Sequence, residues 1–357
     1  VSKERIQKIQ AFIAKENLDG LIISRLVSIR YLCGFTGSAG LLIVQPNRAW
    51  FLTDFRYQEQ SKKQVKGART IITKGETIAA LKELTQFHDK NLRYGYEADY
   101  LLANDLTRLK ENLPGAILIP TVDAVELSSI IKDKDEIEDT QQAVDIGDVA
   151  FERILNILKP GIREMEVAAE LEYQMRMLGS DRPAFETIVA SGYRSALPHG
   201  IASKKKIAKG DFVTFDFGAT YNGYVSDMTR TVVIGKATAR QKKIYGIVLR
   251  AQKAGIRKVG PRVETQAVDA AARNIIDRAG YKKYFGHGTG HGIGLFVHSK
   301  PRLGPRSTEI LKKGMIVTVE PGIYIPKWGG VRIEDDILVT ATGRRILNQA
   351  PKNLLEV

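Results

Sequence analysis

Cysteine is almost absent from this 357-residue chain: Cys33 stands alone. A single thiol excludes a disulfide framework, a cysteine-ligated zinc site and an iron–sulfur cluster. No stretch approaches the roughly 18 uninterrupted apolar residues of a membrane span. Neither G-x-x-x-x-G-K-[ST] nor a G-x-G-x-x-G after a strand occurs, so nucleotide binding through those loops has no support. The opening segment VSKERIQKIQAFIAKENLDG reads as an amphipathic helix without a signal-peptide core, which points to the cytoplasm. What the chain has in excess is positive charge, 54 Lys and Arg against 40 Asp and Glu. That surplus is spread along the chain. Its densest runs, Lys62, Lys63, Lys66 and Lys204–Lys206, lack the interleaved aromatics that stack on bases, which argues against a nucleic-acid partner.

The length predicts about two domains and enough buried surface to fold without a structural metal. Residues 1–122 alternate helix-like and strand-like segments with short connections, the pattern of an α/β domain. Among them are a helix over 3–17, strands in LDGLIIS, GLLIVQ and AWFLTD, and a helix over 77–88. The charge-rich segment 128–143 is read as the approach to a long helix, and residues 123–357 as the second domain.

That second part contains a repeat. Residues 209–218 read KGDFVTFDFG and residues 313–322 read KGMIVTVEPG, each an alternating strand with an acid near its end. Each is followed by a second strand-like segment with another acid, Asp227 in one and Glu334 in the other, and helical segments near 239–257 and 264–279 lie between the copies. The pattern predicts a duplicated hairpin–helix unit. Asp216 and Glu320 sit in apolar runs, where an unpaired carboxylate is costly, and four clustered acids would repel one another. Divalent cations remove that objection.

Three of the five histidines fall in HGTGHGIGLFVH: His287, His291 and His298. His287 and His291 are spaced like part of H-E-x-x-H, but Gly288 stands where that motif needs glutamate. The alternation of LFVH predicts a strand delivering His298 beside the other two, and His199 lies in ALPHG just ahead of the first repeat. Oxygen ligands with one imidazole suit two hard or borderline ions, with Mn²⁺, Co²⁺, Zn²⁺ and Fe²⁺ all compatible, and two such ions sharing a water make hydrolysis the default reaction.

On F-x-x-I-V-A-S-G (Phe185 to Gly192), ALPHG, FDFGATYNGYVSDMTRT, FGHGTGHGIGLFVH, TVEPGIYIP and GGVRIEDD, the chain resembles the metal-dependent Xaa-Pro peptidases of the pita-bread superfamily over nearly its whole length. The resemblance implies an α/β N-terminal domain followed by an α+β pita-bread catalytic domain. It implies two divalent ions, Mn²⁺ foremost, ligated by Asp216, Asp227, His291, Glu320 and Glu334. It assigns His199 and His298 to the scissile carbonyl, a proton-shuttling role to Glu320, and substrate or supporting roles to His287, Tyr324 and Arg332. It also implies a homodimer and short peptides with proline in second position. An Xaa-Pro bond is a tertiary amide with no N–H, poorly matched to enzymes that need that hydrogen bond.

Two features depart from common family patterns. Ser299 replaces the acid often found after His298, and the T-G-H-G-I-G loop lacks the F-L-G of longer prolidases. The loop favours an Xaa-Pro aminopeptidase. An Xaa-Pro dipeptidase (prolidase) restricted to dipeptides is the alternative, and a noncatalytic peptide-binding protein on the same fold a further one. Methionine aminopeptidases usually lack an N-terminal domain of this kind, and creatinase-like amidinohydrolases lack the complete ligand set.

Overall fold

The computed structural model describes residues 2–89 and 91–357. The chain divides into two compact units, Val1–Ser129 and Ile130–Val357. The short helix Ala124–Ser129, beyond the 122/123 division expected from sequence, belongs with the first unit: Lys8 and Tyr31 both donate to the Ser128 carbonyl.

In the first unit, six strands form one mixed sheet in the order Arg69–Thr73, Arg48–Asp54, Leu41–Gln45, Gly20–Ile23, Arg93–Glu97, Ile117–Thr121. The helix Ser2–Lys15 buries Ile6, Ile9 and Ile13, one face of a 3.6-residue period. The helix expected over 77–88 is broken. It runs only from Thr77 to Ala80 and continues as two 3₁₀ turns, Leu81–Glu83 and Thr85–Phe87. Leu81, Leu84 and Phe87 are three apart, which suits a 3₁₀ face better than an α-helical one. His88 closes this stretch on the Leu81 carbonyl at 2.7 Å, a local structural role for that histidine.

In the second unit, the segment read as an approach is itself helical. One helix runs from Lys134 to Leu155, and its start is fixed by a capping box in which Asp133 and Glu136 each accept the other's backbone N–H. The duplication is real in three dimensions. Phe212–Phe217 pairs antiparallel with Met228–Val233, and Ile316–Val319 with Asp335–Val339. The two hairpins enclose smaller ones, Ala219–Tyr221 with Tyr224–Val225 and Gly322–Ile325 with Gly329–Arg332. Helices Ala239–Lys258 and Thr265–Arg278 connect the copies and pack on each other. Asp227 stands one residue before the returning strand of the first hairpin, and Glu334 one residue before that of the second. The Glu334 N–H donates to the Thr229 carbonyl at 3.1 Å, stitching the hairpins together where the acids lie. Among the described residues, no helix is long and apolar enough to cross a membrane.

Candidate metal centre

A cavity of about 880 Å³ in the second unit collects the candidate residues: His199, Asp216, Asp227, His287, His291, His298, Glu320, Tyr324, Arg332 and Glu334 all line it. Asp227, His291 and Glu334 are buried, and one potential ligand atom from each lies within 4.8 Å of the others. His291 Nε2 is 3.4 Å from Glu320 and 3.8 Å from Asp227.

The backbone delivers these groups with little slack. His291 sits in the short strand Gly290–Gly292, pinned between Ile316–Val319 and Ser299–Leu303. A Cβ on Gly290 would run into the Thr318 carbonyl, and one on Gly292 into that of Lys300, so only glycine lets the strands close around the imidazole. Thr318 Oγ1 accepts the His291 N–H at 3.1 Å, and the Glu320 N–H donates to the Thr289 carbonyl. Asp336 accepts the Asp227 N–H at 2.9 Å.

LFVH is not a strand. It bends, and the following strand starts at Ser299. The bend folds His298 back onto His291, with ring centroids 4.5 Å apart, so the two meet as expected through a different local path.

The electrostatics ask for cations. Burial pushes the Asp227 carboxyl well above the usual range, and the Glu334 charge adds to the effect; Glu334 is raised the same way, with Glu320 the main repelling charge. Burial raises Glu320 to about 7. His291 is lowered to about 3, by burial first and His298 second, so its imidazole is neutral. Its Nδ1–H donates to the Gly292 carbonyl at 3.1 Å, which leaves the Nε2 lone pair facing the acids. Buried, mutually repelling carboxylates beside a neutral imidazole with a free lone pair fit a divalent ion.

Arg332 and Tyr324 belong to the wall around these acids. Arg332, 4% exposed, donates to Asp216, to Tyr324 Oη at 2.9 Å and to Thr229 Oγ1 at 2.9 Å; Thr229 in turn donates to Glu334 at 2.6 Å. His287 is held to about 4 by burial and the Arg332 charge, and so is neutral. It donates from Nδ1 to the Gly288 carbonyl and accepts at Nε2 from the Tyr324 hydroxyl, each at 2.8 Å. Both its nitrogens are engaged, and its ring surface is what it offers the cavity. Arg302 also lines the cavity; after burial, its charge contributes to lowering the His298 pKa.

Sequence reasoning did not find Arg302, nor the group behind the acids. Arg230, wholly buried, donates to the Glu334 carbonyl at 2.5 Å and to Asp335 at 2.7 Å. Asp335 also accepts from Gln252 and Lys352. The run Glu334-Asp335-Asp336 was the available signal: a strand alternates sides, and successive acids must serve different partners.

Residues 138–341 match the family model Metallopeptidase family M24, and residues 5–128 match the Creatinase/Prolidase N-terminal domain. The chain belongs to the Xaa-Pro peptidase family, the M24 metallopeptidases of creatinase/prolidase type. It is a metal-dependent peptidase, and its second unit is the pita-bread catalytic domain. It is 45% identical over 352 residues to the uncharacterized peptidase YqhT of Bacillus subtilis (strain 168), covering 98% of this chain and 99% of that one. An Xaa-Pro dipeptidase from Bacillus anthracis has a TM-score of 0.96 at 43% identity, covering 100% of both chains. An X-Pro aminopeptidase from Thermotoga maritima MSB8 has a TM-score of 0.89 at 36% identity, covering 96% of this chain and 98% of the other.

Proposed function

We propose that this protein hydrolyses Xaa-Pro dipeptides. The observation that carries the choice of dipeptides is Arg302. Of the arginines lining the cavity, Arg332 is buried and committed to Asp216, Tyr324 and Thr229, whereas Arg302 and Arg306 are exposed on its wall. Arg302 is the one of these two whose charge acts on His291, His298 and Glu320. A guanidinium there suits the terminal carboxylate that a dipeptide carries on proline, through a charge-assisted, bidentate contact. The likeness to the B. anthracis dipeptidase, greater in identity and TM-score than that to the T. maritima aminopeptidase, favours the same reading.

Asp227, His291 and Glu334 would hold an ion, with Glu320 and Asp216 completing a two-ion site, Mn²⁺ foremost. Bound there, divalent cations supply Lewis acidity and a water of lowered pKa at neutral pH. The chain's own groups do the rest. Glu320 takes the proton of the attacking water and returns it to the proline nitrogen, which must be protonated to leave as an amine. His298 and His199 donate toward the carbonyl oxygen as charge develops on it. The His287 ring face, fixed by Tyr324 and Gly288, forms apolar wall for the pyrrolidine ring. The reading includes a cytoplasmic homodimer, which light scattering on the purified protein tests for its oligomeric part.

Comparing kcat/KM for Ala-Pro and Ala-Pro-Ala at equal Mn²⁺ loading tests the proposal. Ala-Pro is expected to be strongly preferred, and Arg302→Met to lower that preference by about 10-fold or more. Equal cleavage of both peptides, untouched by Arg302→Met, favours the aminopeptidase reading that the T-G-H-G-I-G loop and the T. maritima structure support.

A further inference from the structure

Glu164, at the start of the helix Glu164–Met177, is completely buried and yet lies outside the residues that line the cavity. Its carboxylate accepts five hydrogen bonds. Oε1 takes the Ser191 N–H at 2.7 Å and the Ser191 hydroxyl at 2.8 Å. Oε2 takes the Arg194 Nε–H at 3.0 Å, the Ser203 N–H at 3.1 Å and the Ser203 hydroxyl at 2.6 Å. All five donors come from the two ends of one segment, 191–203, which leaves the strand Ile188–Ser191 and carries Pro198 and His199 to the cavity.

The same helix start grips the returning end a second way. The Glu164 and Met165 N–H groups donate to the carbonyls of Lys205 and Ser203, at 3.0 Å each. Within the segment, Arg194 Nη2 donates to the Ile201 carbonyl at 2.5 Å, so the guanidinium ties the hub to the residue two beyond His199. A buried carboxylate is tolerated only when its lone pairs are filled, and here the donors that fill them fix where one exposed histidine stands. We propose that Glu164 is a positioning residue that sets the location of His199 over the substrate carbonyl. The proposal rests on the reading of His199 as a group facing substrate.

Glu164→Gln keeps the shape but turns one acceptor oxygen into an N–H₂ group facing donors. Expected is a fall in kcat of up to about 100-fold on Ala-Pro, the scale of an ångström-sized misplacement, with bound metal unchanged. In a His199→Ala background the same change should add less than about 2-fold, because the group it positions is gone. The imidazole proton resonance of His199, assigned by its loss in His199→Ala, should shift in Glu164→Gln, while that of His88 in the first unit stays. Losses that multiply in the double variant, or an unmoved His199 resonance, overturn the proposal. If Glu164→Gln fails to fold, Arg194→Met, which removes one donor and the Ile201 tie, must give the same pattern. If His199→Ala alone leaves turnover intact, the reading of His199 fails, and the resonance shift still decides whether Glu164 positions it.

Discussion

The two units bury different things. Among the described residues of the first, Glu97 is the only Asp, Glu, Lys or Arg that is buried, satisfied by the Ser24 and Arg25 N–H groups and the Ser28 hydroxyl. The second buries ten: Lys132, Glu136, Glu164, Asp227, Arg230, Asp269, Arg332, Glu334, Asp335 and Asp336. Burying charge costs several kcal/mol per group unless it is paired, so a fold keeps so many only where they are needed. Some are paired within the protein, as Arg230 is with Asp335. Asp227 and Glu334 instead face each other's charge. The second unit gathers repelling carboxylates whose charge a bound metal would offset, and the first is organised around apolar packing.

The comparison breaks most sharply at Asp227. Asp227→Asn removes one of the two acids at equivalent places in the hairpins; turnover should fall by more than about 10³-fold, with bound metal falling alongside it in elemental analysis. Full occupancy with normal turnover would detach this acid from the metal. His298→Ala probes the rim of the same cavity. Its kcat/KM should fall about 10²-fold, roughly 3 kcal/mol of transition-state stabilisation, while metal content stays near normal. Loss of metal instead would exchange the roles of His298 and His291.

A change in the first unit sharpens the contrast from the other side. Leu81 is fully buried in an apolar cluster with Ile22, Trp50 and Phe87, and Leu81→Ala should cost about 3 kcal/mol in denaturant unfolding. Bound metal per folded molecule should not change.

The smallest effect is one of pH on the metal-stripped protein. Glu320 rises from an ordinary 4.5 to about 7, and Asp227 and Glu334 are also raised. For an acid whose folded pKa lies above its unfolded one, the stabilising proton is fully present below the unfolded pKa and is lost as pH climbs through the folded pKa. The lowered His287 and His291 work the other way, gaining stability as pH rises to their ordinary 6.5. Three raised acids outweigh two histidines, so stripped protein should lose melting temperature between about pH 4.5 and 7 by calorimetry, and metal-loaded protein should lose less.

How legible this was in the sequence depends on the range of the signal. The acids of the two hairpins were visible because strand alternation and a short repeat are local patterns, and so was the crowding of three histidines in one glycine-rich segment. The 3₁₀ break after Ala80 escaped because a three-residue spacing of apolar side chains also fits an amphipathic helix. LFVH mimicked a strand by alternation, yet the chain there has to bend to bring His298 onto His291. Glu164 and Arg230 escaped for another reason. Their partners lie as far away as Ser203 and Ala350, and no periodicity marks a charge whose satisfaction comes from so distant a stretch of chain.

The central claim, that the buried acids of the duplicated hairpins hold the ions on which Xaa-Pro cleavage depends, is tested most directly by titrating Mn²⁺ into metal-stripped protein while following Ala-Pro hydrolysis and bound metal together. The account predicts no turnover in the stripped protein, and activity that rises with occupancy to a plateau near two ions per chain in the native protein, with no such rise in Asp227→Asn. Undiminished hydrolysis of Ala-Pro by protein shown to be free of metal would contradict it.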